Sequence, residues 1–200
     1  VVGLPIGIIA ALKRNTLLDY IPMSTAMIGI CMPTFVLGPI LLLIFGIWLG
    51  WLPVAGWGQI SGDKILPTIT LGSVYAAYIA RICRGGMLEV FSQDYIRTAR
   101  AKGLSTMRIV MVHALRGGIT PVISFLGPAI AGLMAGSFVV ESIFQIPGLG
   151  RFYVMAAFNR DYTMILGLTI FFAFLIILFN LIADILLVWL NPKLRQELGG

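Results

Sequence analysis

The sequence predicts an all-α fold, a polytopic bundle of transmembrane helices. The main support for this prediction is the amino-acid composition. Only 11% of the 200 residues are charged, whereas a soluble globular domain carries about 25%. The apolar fraction is 59% and the mean hydropathy is +0.99. A soluble chain of this length has too little interior to bury so many apolar residues. An ordinary soluble enzyme, a disordered tail and a disulfide scaffold are therefore excluded.

The predicted spans follow from the stretches that lack charged residues. The apolar run at residues 1–12 is shorter than the roughly 20 residues that cross a bilayer. We therefore interpret it as the end of a span, and the chain as a single membrane domain truncated at its N-terminus. Residues 20–62 carry no charge, but a Gly- and Trp-rich stretch at 50–62 ends the helix there. Full spans are predicted at residues 21–49, kinked at Pro33, and at residues 65–80, 117–140 and 162–190.

The distribution of Lys and Arg predicts the orientation of these spans, because cytoplasmic connections are enriched in both residues. One set of alternating connections holds all but three of the 14 such residues: Lys13, Arg14, Arg81, Arg84, Arg97, Arg100, Lys102, Arg108, Arg116, Lys193 and Arg195. The other set holds only Lys64, Arg151 and Arg160. The first set, together with the C-terminus, is therefore predicted to be cytoplasmic.

The cytoplasmic connection at residues 81–116 is too long for a turn and is patterned like two helices. Asp94 is a predicted N-cap for a helix over residues 95–102, and Gly103 is a predicted glycine stop for it. Ser105 is a predicted cap for a second helix over residues 106–115. The pattern by itself also fits an amphipathic hairpin resting on lipid headgroups. The membrane tether at both ends argues against binding of nucleic acid.

A resemblance to a known family begins in this connection. The string DYIRTARAKGL at residues 94–104, followed by HALR at 113–116, resembles the coupling loop of bacterial binding-protein-dependent ATP-binding-cassette (ABC) importer permeases. It is most similar to the first permease subunit of the dipeptide, oligopeptide and nickel branch. The strings ESIF and PGLG within residues 141–150 resemble the external turn of that branch. The end of the chain, from Asn180 to Arg195, also fits.

The resemblance implies a transmembrane subunit that forms the pathway of an importer for peptides or a similar small solute, working by alternating access. The implied location is the plasma or inner membrane of a bacterium or archaeon. The implied partners are a second related permease in a heterodimer, two cytoplasmic ATP-binding subunits that hold ATP and Mg²⁺, and an external solute-binding protein. The solute stays open among a dipeptide, an oligopeptide, a nickel chelate and a glutathione-like compound.

The resemblance assigns contact with the ATPase to the coupling loop, at Asp94, Arg97, Thr98, Ala99, Arg100, Ala101, Lys102, Gly103 and Leu104. Ala99 and Gly103 are the strongest candidates, because a small-residue face can seat deeply in a groove and a glycine permits a sharp turn. The three basic residues of the loop fit pairing with acidic residues of the ATPase and pairing with anionic lipid equally well.

Two further groups of candidates lie elsewhere in the chain. Asn180 and Asp184 lie one turn apart in the last predicted span and fit a polar pathway, although Asp184 also fits an interfacial carboxylate paired with a cytoplasmic Arg. A second group fits an external docking turn for a solute-binding protein: Glu141, Pro147, Gly148 and Gly150. For Glu141, a simple helix end is the alternative.

No catalytic group and no cofactor of this chain are predicted. The sequence has no phosphate-binding loop with the pattern Gly-x-x-x-x-Gly-Lys-Ser/Thr, so the chain is not expected to bind ATP alone. The single histidine, His113, and the cysteines Cys31 and Cys83 do not form a metal-binding pattern. Two other classes stay open: a passive channel or assembly scaffold, and an intramembrane enzyme, which would need paired acids, a Ser/His pair or metal ligands within the spans.

Overall fold

The computed structural model describes residues 2–58, 60–135 and 137–190, and every regular element among them is a helix. Within these described residues, three helical stretches are long and apolar enough to cross a membrane: Ile65–Phe91, Thr120–Ile143 and Tyr162–Trp189. A bent pair of helices, Leu17–Cys31 with Thr34–Trp48, makes a fourth if it forms one span. The predicted all-α, polytopic fold is confirmed.

The elements follow one another with short connections. In chain order they are α1 (Gly3–Leu12), α2 (Leu17–Cys31), α3 (Thr34–Leu41) with a π-helical continuation (Leu42–Trp48), α4 (Ile65–Phe91), α5 (Asp94–Ala101), α6 (Thr106–Arg108) with a π-helical continuation (Ile109–Ala114), α7 (Leu115–Gly118), α8 (Thr120–Ala135), α9 (Phe138–Ile143), α10 (Leu149–Phe158) and α11 (Tyr162–Leu190).

The predicted span at residues 21–49 is two helices in the structure. Helices α2 and α3 meet at an angle of 106° across a short break, which is much sharper than the predicted kink. Pro33 stands in the extended conformation (φ −61°, ψ 142°) at the N-cap of α3. Because proline lacks an N–H and disfavours helical backbone in the residue before it, Met32 cannot continue the helix.

Helix bounds also differ from the prediction at two other spans. Helix α4 runs on to Phe91, well past the predicted end at residue 80, since Arg81 and Arg84 mark an increase in polarity and not a helix stop. The stretch at 117–140 is divided among α7, α8 and α9. Helix α11, in contrast, covers the predicted residues 162–190.

The described residues divide into two compact units. Among the described residues, the first unit comprises residues 2–27, 76–127 and 179–190, and the second comprises residues 28–58, 60–75, 128–135 and 137–178. No local sequence pattern indicates this division, because each unit is assembled from separate segments of the chain.

The core of the first unit is built where α1, α4, α5 and α8 contribute buried residues, with Cys83, Met87 and Ile96 fully buried. Helix α1 approaches α4 closely at Gly7, where an added Cβ would lie 2.6 Å from the Ala80 carbonyl oxygen and 2.7 Å from Cys83 Cβ. Glycine thus allows the two helices to pack almost backbone to backbone.

The second unit has a smaller core of Leu66, Val140 and Phe144. The loop before α4 is attached to it by a hydrogen bond from Gly56 N–H to the Phe144 carbonyl oxygen, 3.1 Å long. The Lys64 ammonium lies 5.2 Å from the centre of the Trp57 ring, a cation–π contact that orders the same loop.

Candidate functional site

Helix α5 is held in place by one buried face. Ile96 is fully buried and Ala99 is 7% exposed, and both belong to the core of the first unit with Met87 of α4. The helix begins one residue earlier than predicted. Gln93 is the extended N-cap residue (φ −72°, ψ 149°) and Asp94 is the first helical residue, so the prediction of Asp94 as the N-cap is wrong.

The opposite face of α5 is open to its surroundings. Asp94, Thr98 and Ala101 lie along its centre and are exposed, because a helix turns about 100° per residue and places them opposite Ile96. Arg97 and Asp94 form an exposed ion pair, with Nη1 to Oδ1 at 3.2 Å. Such exposed pairs add little stability. The face therefore stays available to a partner.

Ala99 lies on the inward face and not on this open face. With Gly103 it was the strongest predicted candidate for contact with the ATPase, and its side chain packs into the core of its own unit. The reason is helical spacing, which puts Ala99 on the same face as Ile96. Its small size lets α5 lie close to that core, so Ala99 positions the helix.

Gly103 ends α5 through a Schellman motif. Its φ is +76°, its N–H donates to the Arg100 carbonyl oxygen at 2.9 Å, and the Leu104 N–H donates to the Ala99 carbonyl oxygen at 3.3 Å. These are the two bonds of the motif, and Leu104 packs against the core that contains Ala99. The predicted glycine stop is thus present in the structure. Ser105 then occupies the N-cap position of α6 without a side-chain capping bond.

A cavity of about 550 Å³ lies beside α5. Its walls come from α1, the end of α4, α5, Leu104 and the start of the next helical stretch, and Arg14 and Arg100 contribute the positive charge. Arg100 therefore lies beside a cavity, whereas Arg97 lies by the open face of α5. The two arginines that sequence reasoning treated together have different surroundings.

An ion pair that sequence reasoning missed joins α2 to α4. Asp19 is 1% exposed, and Arg84 donates to both of its carboxylate oxygens. In the sequence, the only indication of this pair is that Asp19 is an isolated charged residue at the edge of the long uncharged stretch. Nothing local in the sequence pairs it with a residue so far along the chain.

The turn predicted as an external docking site is built around Glu141. Its carboxylate is buried, and Oε2 accepts a hydrogen bond of 2.7 Å from the Arg151 N–H in the first turn of α10. An added Cβ at Gly148 would lie 2.6 Å from each carboxylate oxygen, and one at Gly150 would lie 3.1 Å from each. The two glycines therefore make room for Glu141, which caps α10, while Pro147 is exposed.

Asn180 and Asp184 differ in exposure although they lie one turn apart in α11. Asn180 is half-buried where α11 approaches α8, and its Oδ1 would lie 2.9 Å from a Cβ added at Gly127. Asp184 is exposed. Within residues 2–58, 60–135 and 137–190, no group of three or more His, Cys, Asp or Glu side chains is arranged to hold a metal ion.

Comparison with known proteins identifies the class. The family model described as binding-protein-dependent transport system inner membrane component matches residues 3–196, and the chain belongs to that family. The predicted resemblance to ABC importer permeases is confirmed.

Curated proteins similar to the chain include peptide and glutathione permeases. The chain is 52% identical over 196 residues to the oligopeptide transport system permease protein OppB of Haemophilus influenzae, over 98% of this chain and 64% of that protein. It is 43% identical over 198 residues to the dipeptide transport system permease protein DppB of Bacillus subtilis, over 99% of this chain and 64% of that protein. It is 42% identical over 195 residues to the glutathione transport system permease protein GsiC of Escherichia coli, over 98% of this chain and 63% of that protein. The chain thus spans a little under two thirds of the length of these relatives.

Proposed function

We propose that this chain is part of a transmembrane subunit of an ABC importer for peptides, located in a bacterial inner membrane with the C-terminus in the cytoplasm. It works with a second, related permease, two cytoplasmic ATP-binding subunits and an external solute-binding protein. ATP and Mg²⁺ are bound by the ATP-binding subunits, and this chain supplies no catalytic group. Its own contributions are the pathway and the connection to the ATPase.

The observation that best supports this proposal is that α5 has one buried face and one exposed face. Its inward face, Ile96 and Ala99, is fixed in the core of its own unit, while Thr98 and Ala101 are exposed. A short helix with one fixed face and one open face can transmit a push from a partner into the helices behind it. The 52% identity to an oligopeptide permease supports peptides as the solute.

The proposed cycle follows from that geometry. The ATPase subunits bind the open face of α5 in a groove and close on ATP. The movement of α5 passes through Met87 and Cys83 into α4, which is one of the membrane-spanning candidates. The spans then open the pathway alternately to the two sides of the membrane. Asp184, exposed within α11, and Asn180 are proposed to face a polar part of this pathway.

The open face is tested by adding bulk to it in the complete permease assembled with all its partners. Ala101→Trp places a large ring on that face, and we expect loss of ATPase co-purification and of labelled-peptide uptake, with an unchanged amount of permease in the membrane. Ala157→Trp is the matched control, because Ala157 is also an exposed helical alanine but lies in α10. It should retain the ATPase subunits.

A second arm separates the importer from a passive channel or scaffold. Uptake by the complete complex is measured with ATPase subunits whose phosphate-binding lysine is replaced. An importer then stops accumulating peptide, whereas a passive channel equilibrates it at an unchanged rate. Continued uptake with those inactive subunits, or normal ATPase retention in Ala101→Trp, would contradict the proposal.

A further inference from the structure

The ion pair between Asp19 and Arg84 is a two-point contact. Arg84 Nε lies 2.5 Å from Asp19 Oδ1, and Arg84 Nη2 lies 2.7 Å from Asp19 Oδ2. The Asn15 N–H donates to the same Oδ2 at 3.0 Å. Both oxygens of a carboxylate that is 1% exposed are therefore engaged. A guanidinium fork of this kind fixes the relative orientation of its partners as well as their separation.

The position of the pair connects α2 with the part of α4 that precedes the coupling helix. Asp19 lies in the first turn of α2, and Arg84 lies about two helical turns before the end of α4 at Phe91. The neighbouring Cys83 and Met87 are fully buried in the core that also holds Ile96 of α5. The second half of α4 thus touches α5 on one side and α2 on another.

Helix α1 is attached to the same part of α4. Besides Gly7, Gly3 also lies against α4, where an added Cβ would be 3.0 Å from Ile79 Cβ. Beside these close apolar and backbone approaches, the Cys83 thiol donates one long hydrogen bond of 3.8 Å to the Leu4 carbonyl oxygen. The Asp19–Arg84 fork is a directional contact made by two hydrogen bonds, and it ties the start of α2 to α4.

Stability alone is a weak reason for such a pair. The desolvation of two charges offsets much of their attraction, and well-packed apolar side chains of similar volume often serve as well. A directional role explains the geometry better, because a two-point contact between a guanidinium and a carboxylate resists both sliding and rotation of the two helices.

We propose that Asp19 and Arg84 are positioning residues that make the start of α2 follow the coupling helix α5 during transport, an inference that rests on the proposed function. When the ATPase displaces α5, the core around Met87 carries the movement into α4. The fork then carries it into α2. Without the fork, α4 moves while α2 lags, and ATP is hydrolysed with little transport.

The test measures peptide imported per ATP hydrolysed by the complete complex in proteoliposomes. Arg84→Lys keeps the charge and loses the fork. We expect normal assembly, normal ATP hydrolysis stimulated by loaded binding protein, and a roughly tenfold lower import per ATP, in the range of typical coupling energies between sites. Arg81→Lys is the matched control, because Arg81 is an exposed arginine of the same helix, and it should change nothing.

A double variant separates positioning from stability. Asp19→Leu with Arg84→Met replaces the pair by apolar side chains, so it should keep assembly and membrane level while import per ATP stays low. Normal import per ATP in this variant, or in Arg84→Lys, would overturn the inference. Loss of assembly in the double variant would also overturn it, since that outcome assigns the pair a stabilising role only. A wild-type complex without ATP-dependent import would instead refute the proposed function itself.

Discussion

Substitution of Gly103 tests whether the turn after α5 aims the coupling helix. At φ +76° the residue is in the left-handed region, and an added Cβ would meet no atom within 4 Å. Neighbouring atoms therefore impose no crowding, and the cost of a side chain is the cost of the backbone conformation alone. That cost is about 1–2 kcal/mol for an ordinary L-residue. It is larger for a β-branched residue, whereas asparagine enters the left-handed region readily.

We expect Gly103→Val to displace the Schellman turn and Gly103→Asn to keep it. A cost of about 1–2 kcal/mol corresponds to a roughly 5–30-fold shift in the balance between two conformations. Peptide uptake should fall by at least this factor in the valine variant, since valine is β-branched, and stay near normal in the asparagine variant. Valine and asparagine are similar in size, so the pair isolates backbone preference from bulk.

The assay measures uptake of a labelled peptide, the permease level in the membrane and co-purification of the ATPase subunits. Because the strain is confined to the turn, insertion into the membrane should survive in both variants. Leu104→Met, which conserves volume in the neighbouring residue, should be mild. Equal, near-normal uptake in the valine and asparagine variants would refute the claim that this turn aims α5.

Three other predictions concern topology, packing and nucleotide binding. Ser61→Cys should be labelled by an impermeant thiol reagent on intact cells, in a background without native cysteines, and Thr106→Cys should not; labelling of the latter would reverse the proposed orientation. Gly148→Ala presses a methyl group against the Glu141 carboxylate and should cost about 1–3 kcal/mol, measured as a lower thermal midpoint of the purified complex. Combined with Glu141→Ala it should cost less than the sum of the single changes, and strict additivity would contradict the contact. The purified permease without ATPase subunits should not bind ATP, and saturable nucleotide binding by it would count against the division of labour proposed here.

The parts of the fold that sequence reasoning anticipated are those with local signals. Helix α11 follows from an apolar run between Asp161 and the end of the described chain, and the Gly103 turn follows from a glycine after a short amphipathic helix. Pro33 indicated a break in the helix but not the angle of 106° between the two parts. Proline removes a backbone hydrogen bond but does not fix the direction of the next helix.

The parts that sequence reasoning missed depend on contacts between distant residues. The inward direction of Ala99 is set by the core that it joins, and the resemblance pointed to a docking role without specifying which side of the helix is buried. Likewise, Glu141 was predicted as a docking residue or a helix end, and only the folded chain shows its carboxylate beside Gly148. The Asp19–Arg84 pair has no local pattern at all, since its members lie in different helices.

The two faces of α5 should also have diverged under different pressures among related chains. Changes at Ile96 or Ala99 must be compensated within the same polypeptide, for example at Met87, because those side chains share one core. Changes at Thr98 or Ala101 are free of that constraint, so on the proposed function they should co-vary with a second gene that encodes the ATPase. Exchange of the exposed residues alone between two homologous transporters would then exchange their preference for an ATPase. Exchange of the buried residues alone would only disturb the packing of the core.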